Sequence, residues 1–269
     1  MAQQHRLNNL LEMVSDRGNV SISDITEALN VSPATARRDL SVLAEQRLVT
    51  RTHGGATALG TGYELPLQYK FARQADAKLA IARAAVELIA PGSIVGLNGG
   101  TTTSEVARAI ARNDRLIRSD GDVGISIVTN ALNIAFELSI RPHVKIVVTG
   151  GVARRQSYEL VGPLVSNILS DVVLDVAILG VDGLSAQFGA TTLNEGEAAV
   201  SRELARVANR VIIVADSTKM GKTTFARIFE LQAIDVLVTD AQLDAGFAND
   251  LASANIEVLI AGLDAPPVK

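Results

Sequence analysis

The chain has 269 residues, no Cys, 48% hydrophobic but only 3% aromatic residues, and a formal net charge of −4. This length predicts one large domain or two unequal ones. The lack of Cys excludes disulfides and thiolate metal sites, and the acidic balance excludes a protein that coats nucleic acid by bulk charge. A core of Val, Ile, Leu and Ala is the palette of a parallel sheet covered by helices. The polar start Met1–Arg6 and the absence of any apolar run of ~18 residues predict a soluble, cytoplasmic protein with no membrane partner.

Residues 4–16 place Leu7, Leu10, Leu11 and Val14 at helical spacing, with Gly18 and Asn19 as a stop. Val20 and Ile22 then alternate with polar neighbours as a very short strand. Ser23 is the expected cap of a second helix carrying Ile25, Ala28 and Leu29, which Asn30 ends. Ser32 and Pro33 open a third helix, a cap residue followed by a proline whose missing N–H is not needed there. Its Ala36, Leu40, Leu43 and Ala44 make one packing stripe, while Ala34, Thr35, Arg37, Arg38 and Ser41 fall largely on the other faces. A small, hydroxylated, cationic surface suits the DNA major groove, where Arg pairs with guanine or phosphate. A solvated helix face would account for the same residues if the helix stood alone.

Two short helices joined by a tight turn, followed by the hairpin Leu48–Thr57, are the pattern of a winged helix-turn-helix. Arg51, His53 and Gly54 beside the hairpin turn suit phosphate or minor-groove contact, and His53 suits a structural turn equally well. Residues 1–59 hold six Arg and six acidic residues, so DNA binding must depend on where the arginines sit. The expected division is a DNA-binding domain over residues 1–57, a linker over 58–75, and an α/β domain over 76–269. In the linker, Leu67, Tyr69 and Phe71 alternate as apolar residues that suit burial against their own domain or association between copies.

From Asp76 onward helices and strands alternate. A helix over Lys78–Ile89 precedes candidate strands Ile94–Leu97, Ile125–Thr129, Val144–Thr149, Val176–Val181, Val211–Ala215, Val236–Thr239 and Ile256–Ile260. Continuous Val/Ile runs of this kind predict a mostly parallel sheet buried on both faces. Open α/β sheets bind ligands at the carboxyl ends of strands. After the first strand comes Asn98-Gly99-Gly100-Thr101-Thr102-Thr103-Ser104, a loop leading into a helix over Glu105–Ala111. Its glycines, hydroxyls and helical N–H groups would cradle a phosphate. Later strands run into Thr129-Asn130, Gly150-Gly151, Asp182-Gly183 and Asp216-Ser217-Thr218-Lys219. Any one of these is ordinary turn chemistry, but their convergence at one sheet edge points to a binding site.

Gly221-Lys222-Thr223 imitates the end of a P-loop, but Asp216 stands where that motif requires its first Gly. Gly96-Leu97-Asn98-Gly99-Gly100 does not satisfy the dinucleotide fingerprint. The three His residues, His5, His53 and His143, are scattered without Cys or carboxylate clusters, so neither a metal nor a cofactor is expected.

Two stretches resemble the DeoR family of bacterial repressors. Val31-Ser32-Pro33-Ala34-Thr35-Ala36-Arg37-Arg38-Asp39-Leu40, followed by the hairpin ending Arg51-Thr52-His53-Gly54-Gly55, is similar to the family's N-terminal signature, with Ala36 in place of the usual Ile or Val and Arg47 in place of a Gly. Leu97–Thr103, Val128–Leu132, Thr149–Gly151, Leu179–Gly183, Thr191–Ala198 and Ala215–Lys219 resemble its effector domain over nearly all of residues 76–240, with Asn98 in place of the usual Asp. The resemblance implies a ribose-phosphate-isomerase-like α/β effector domain with a mostly parallel sheet, preceded by a small winged helix-turn-helix domain. It also implies a transcriptional regulator, expected to repress carbohydrate genes, that binds double-stranded operator DNA and a phosphorylated sugar or derivative and works as a dimer or tetramer.

Effector contacts are expected from Asn98, Gly99, Gly100, Thr101, Thr102, Thr103, Thr129, Asn130, Gly150, Gly151, Asp182, Gly183, Glu197, Asp216 and Lys219. DNA contacts are expected from Ser32, Ala34, Thr35, Arg37, Arg38, Ser41, Arg51, His53 and Gly54. The alternative is a sugar-phosphate isomerase fused to a DNA-binding module, with Asp182, Glu197 and Lys219 as acid–base groups. The preferred role of those three is hydrogen bonding to a ligand, with no catalytic residue.

Overall fold

The computed structural model describes residues 3–59, 65–117 and 123–262. The chain forms two compact units that meet at Arg73 and Gln74. The smaller begins with α1 (Gln3–Arg17), β1 (Asn19–Ser21), α2 (Ile22–Leu29) and α3 (Pro33–Glu45). The wing strands β2 (Val49–Thr52) and β3 (Gly55–Ala58) follow, then a short α4 (Leu67–Lys70). Leu10, Ile25, Ala36, Leu40 and Leu43 pack with no exposure in one core, so the apolar spacing of the three helices does determine which faces meet.

Several boundaries move. The cap of α2 is Ser21 rather than Ser23: the Ser21 Oγ accepts the Asp24 N–H at 3.1 Å while the Asp24 carboxylate accepts the Ser21 N–H at 2.8 Å. This reciprocal capping box satisfies two orphan amides at once, which Ser23 could not do from inside the helix. Asn30 ends α2 in the left-handed region, and Ser32 caps α3 with Pro33 in its first turn. Arg47 adopts φ 56°, which explains why a Gly would suit this position. Gly55 is obligatory at the wing, because a Cβ there would lie 1.9 Å from the Val20 carbonyl across the β1–β3 pairing. The segment read as a linker is structured over Leu67–Lys70. Tyr69 is buried in the core of the smaller unit, and its hydroxyl donates to Gln46 Oε1 at 2.5 Å.

The larger unit opens with α5 (Ala75–Glu87), three residues earlier than the periodicity predicts. There follow β4 (Ile94–Leu97), α6 (Thr101–Arg112), β5 (Ile125–Thr129), α7 (Leu132–Leu138) and β6 (Val144–Val148). A small hairpin, β7 (Val152–Ala153) and β8 (Leu160–Val161), precedes α8 (Leu164–Leu169), β9 (Val176–Gly180), β10 (Gly183–Ser185) and β11 (Gly189–Thr192). The chain continues through α9 (Glu195–Arg206), β12 (Val211–Val214), β13 (Ala226–Phe229), β14 (Val236–Thr239), α10 (Ala245–Ser253) and β15 (Glu257–Ile260). Among them, β15-β14-β12-β9-β4-β5-β6 form one seven-stranded sheet in which every pairing is parallel.

All seven predicted strands lie in this sheet, with ends shifted by at most one residue. The reason is visible in the alternation. Val176 and Ile178 pack with α5, α6 and α7 on one face, whereas Ala177 and Leu179 pack with α8, α9 and α10 on the other. A strand covered on both faces must be apolar at every position. The antiparallel strands β10, β11 and β13 form a separate small sheet, and their mixed Gly/Thr/Ala sequences carry no comparable signal.

Candidate DNA interface and effector site

Helix α3 and the wing present the sequence-predicted DNA residues on one contiguous region. Ser32, Ala34, Arg37 and Arg38 are exposed, Thr35 and Ser41 are half-buried, and Arg51, His53 and Gly54 are exposed on the hairpin. The Ser32 Oγ accepts the Thr35 N–H at 3.2 Å, so the cap that starts α3 also orders its first turn. The wing is tied to the helix: Arg51 Nη1 donates to Ser41 Oγ at 2.6 Å, and Ser41 Oγ donates to the Arg37 carbonyl at 2.9 Å. From the opposite side, Asp39 is buried and receives the Arg6 guanidinium in two bonds, Nε to Oδ2 at 2.5 Å and Nη2 to Oδ1 at 3.1 Å. This bidentate pair fixes α1 against α3. It also removes one acid and one base from the surface charge balance, leaving Arg37 and Arg38 on the outward face.

In the larger unit most of the predicted effector residues follow the carboxyl ends of the sheet strands, with different degrees of freedom, while Glu197 lies in the first turn of α9. Thr101, Thr102 and Thr103 do not sit in a loop before the helix. They are the first turn of α6, which starts four residues earlier than predicted because Gly100, at φ 135°, turns the chain directly from β4 into the helix. Gly100 offers no side-chain cap to the helix amides, so the N-terminus of α6 presents its N–H groups and partial positive charge toward the strand ends.

Asn98 is not available in the way its position suggests. Its Nδ2 donates to the Gly180 carbonyl at 2.9 Å and to Ser201 Oγ at 3.0 Å, and its Oδ1 accepts the Gly180 N–H at 2.9 Å. The side chain pins the end of β4 to the end of β9, and is a positioning residue. Asp216 is similarly committed: it is buried, caps its own turn and accepts the Thr218 N–H and hydroxyl. Thr129 Oγ1 accepts the Ala131 N–H at 3.0 Å, and Gly183 is required by the Lys222 carbonyl, 2.5 Å from where its Cβ would lie. Gly150 and Gly151 have φ 73° and 119°, and a Cβ on Gly151 would meet Val161.

Two residues at the centre of this edge escaped the sequence reading. Glu159 is 4% exposed. Its Oε2 accepts Asn130 Nδ2 at 2.9 Å, and its side chain lies against Gly99 so closely that a Cβ there would come within 2.3 Å of Cγ. The segment is held by backbone pairing with the loop after β5: Leu160 N–H donates to the Asn130 carbonyl at 2.7 Å, and Leu132 N–H donates to the Tyr158 carbonyl at 3.0 Å. Tyr158, at φ 60°, makes the turn that directs Glu159 inward. Arg154, on the same hairpin, donates from Nε to Glu197 Oε1 at 3.0 Å. Neither residue follows a sheet strand, so the strand-end rule could not find them.

Burial pushes the Glu159 carboxyl up to about 8. The nearby Glu197 charge adds to this, the Asn130 and Gly99 hydrogen bonds oppose it, and Asp182 contributes a little further in the same upward direction. Asp182 accepts the Thr192 hydroxyl at 2.9 Å and lies 3.8 Å from Lys219 Nζ, both side chains being partly exposed. Asp182 and Lys219 therefore form a loose pair, whereas Glu197 and Arg154 form a closer, partly buried one. Among the described residues no group of His, Cys, Asp and Glu is placed to hold a metal ion, and no helix is long and apolar enough to cross a membrane.

Comparison with known proteins follows the same division. A family model for the DeoR-like helix-turn-helix domain matches residues 6–61, and one for the DeoR C terminal sensor domain matches residues 73–241. The HTH-type transcriptional regulator GlpR of Haloferax volcanii is 34% identical over 260 residues, covering 96% of this chain and 98% of that protein. The glycerol-3-phosphate regulon repressor of Escherichia coli K12 is 32% identical and covers 90% of this chain and 92% of its own length. Among solved structures, ribose 5-phosphate isomerase A of Methanocaldococcus jannaschii is 18% identical with a TM-score of 0.40 over 55% of each chain.

Proposed function

The chain belongs to the DeoR family of transcriptional regulators, and on that premise we propose that it is a cytoplasmic repressor whose grip on operator DNA is set by a phosphorylated sugar or related polyol. The observation that carries the reading is the pairing, in one chain, of an exposed α3–wing surface with a strand-end site headed by the uncapped α6. Relatives of matching length, one named as the repressor of a glycerol-3-phosphate regulon, support it. In this reading Arg37 and Arg38 reach bases or phosphates from α3, Ser32, Ala34, Thr35 and Ser41 allow its close approach, and Arg51, His53 and Gly54 contact the backbone beside it. The phosphate sits on the amides of Gly100–Thr103, with Lys219 as the nearby cation. Asn130, Asp182, Glu159 and Glu197 face the rest of the ligand.

The protein acts as a two-fold homo-oligomer, a dimer or tetramer, reading half-sites about 34 Å apart or a multiple of that. The effector works by binding one arrangement of the protein better than another, which shifts the population competent for DNA. Acid–base roles for Asp182, Glu197 and Lys219 are not retained, because Glu197 is ion-paired with Arg154 and the full-length relatives are regulators. The test is DNA binding by fluorescence anisotropy, with and without sugar phosphates. Arg37→Ala and Arg38→Ala are each expected to weaken operator binding by about tenfold or more, since a specific Arg–base pair is worth ~1–3 kcal/mol. Unchanged affinity in both variants, or an operator complex indifferent to every sugar phosphate, would refute the proposal.

A further inference from the structure

Helix α7 is apolar on two faces. Ile134 and Leu138 belong to the core on one side of the sheet, whereas Leu132, Phe136 and Ile140, spaced four apart, are 40%, 82% and 75% exposed. The Arg141 N–H donates to the Leu138 carbonyl at 2.9 Å and carries the helical turn on to Ile140, so the three side chains form one outward stripe about 12 Å long. The helix is fixed from its flank: Asn133 Nδ2 donates to Ser104 Oγ at 2.9 Å, and Glu137 accepts Arg108 Nε at 2.9 Å, both on α6. Single large apolar residues on a surface are ordinary, but a spaced run on a rigid helix marks a contact. A second observation lies beside it. α7 packs on β6, which among the described strands pairs with β5 alone and so forms one edge of the parallel sheet. Ile146, Val147 and Val148 of this edge are only half-buried, and Lys145 is its one charged residue. An apolar edge strand with open backbone groups is a pairing surface unless something covers it.

Resting on the two-fold homo-oligomer reading above, we infer that the outer face of α7, with the β6 edge beside it, is the surface through which two copies of this chain associate. The stripe itself selects a second copy as its occupant. Its steps are equal on either side of Phe136, so a two-fold axis passing Phe136 lays the stripe on itself: Phe136 meets its own counterpart, and Leu132 meets Ile140 of the partner subunit. The two helices then run antiparallel, the arrangement in which their dipoles attract. The smaller unit offers nothing equivalent. Among the described residues none of its large apolar side chains is exposed, and Leu67 and Tyr69, which suit association by sequence, are buried. The contact that brings two α3 helices to two half-sites therefore falls to the larger unit.

The inference is tested on the full-length protein by sedimentation velocity over a concentration series. Phe136→Glu and Ile140→Glu are each expected to weaken self-association by about thirtyfold or more, the scale of a central apolar anchor. Circular dichroism and melting of the separated chain should stay native, because both side chains already stand in water. Phe225→Glu, at a residue 81% exposed on the segment before β13, is expected to leave association unchanged. A second measurement does not depend on the Glu variants folding. The chain has no Cys, so the double variant Leu132→Cys/Ile140→Cys, which keeps Phe136, is expected to form a disulfide-linked dimer on mild oxidation. Native association in both Glu variants together with no disulfide-linked dimer, or a loss of association in Phe225→Glu in their place, overturns the surface assigned here while leaving the two-fold reading intact. A native chain that is monomeric at every concentration and on operator DNA removes both.

Discussion

Replacing Glu159 with Gln isolates the energetic consequence of burying that carboxyl. Gln has the same shape, keeps one oxygen that can accept from Asn130, and carries no proton to lose. In the native protein the carboxyl titrates near 8, against an ordinary value of 4.5. Below about pH 4.5 the folded and unfolded chains both hold this proton, and the group does not oppose folding. Between these two values the folded chain keeps a proton that the unfolded chain has released, so the native protein loses stability as pH rises, by on the order of 1 kcal/mol per pH unit. Above about pH 8 the carboxylate is ionised in both states, and the full cost of burying it is in place.

The groups that face it, Glu197 with its partner Arg154 and Asp182 with Lys219, are the same in both proteins, so the comparison reads the change at residue 159. Urea unfolding followed by circular dichroism at about pH 5 and about pH 8.5 is therefore expected to show similar stabilities at the lower pH and a more stable Gln variant, by a few kcal/mol, at the higher. Parallel stability profiles would refute the claim that Glu159 is held neutral by its surroundings.

Two further outcomes follow from the geometry. Asn98→Asp is expected to destabilise the larger unit by ~1–3 kcal/mol. It removes the donor to the Gly180 carbonyl and Ser201 and leaves the Gly180 oxygen facing a carboxylate; an unchanged urea midpoint would count against it. Gly55→Ala forces a Cβ to within 1.9 Å of the Val20 carbonyl, and is expected to cost ~1–3 kcal/mol and weaken DNA binding as the wing shifts. Native-like melting together with native operator affinity would contradict that.

The sequence by itself determined whatever depends on short-range pattern. The apolar spacing of Leu7, Leu10, Leu11 and Val14, the Ser32-Pro33 start of α3 and the unbroken Val/Ile runs of the seven parallel strands are each local statements about which face is buried and where a helix can begin. The glycine-rich strand ends were legible for the same reason, since a parallel sheet places them all along one edge. What only the tertiary structure decided are the partners across that edge. Asn98 reads as a ligand residue until Gly180 and Ser201, 82 and 103 positions away, take up its amide. Ser23 reads as a cap until Ser21 is seen to close a box with Asp24. Glu159 reads as an unremarkable residue between Tyr158 and Leu160 until backbone pairing with Asn130 and Leu132 buries its carboxyl against Gly99. A hydrogen bond is worth little until its partner is fixed, and the burial that gives a charge its meaning comes from residues remote in the chain.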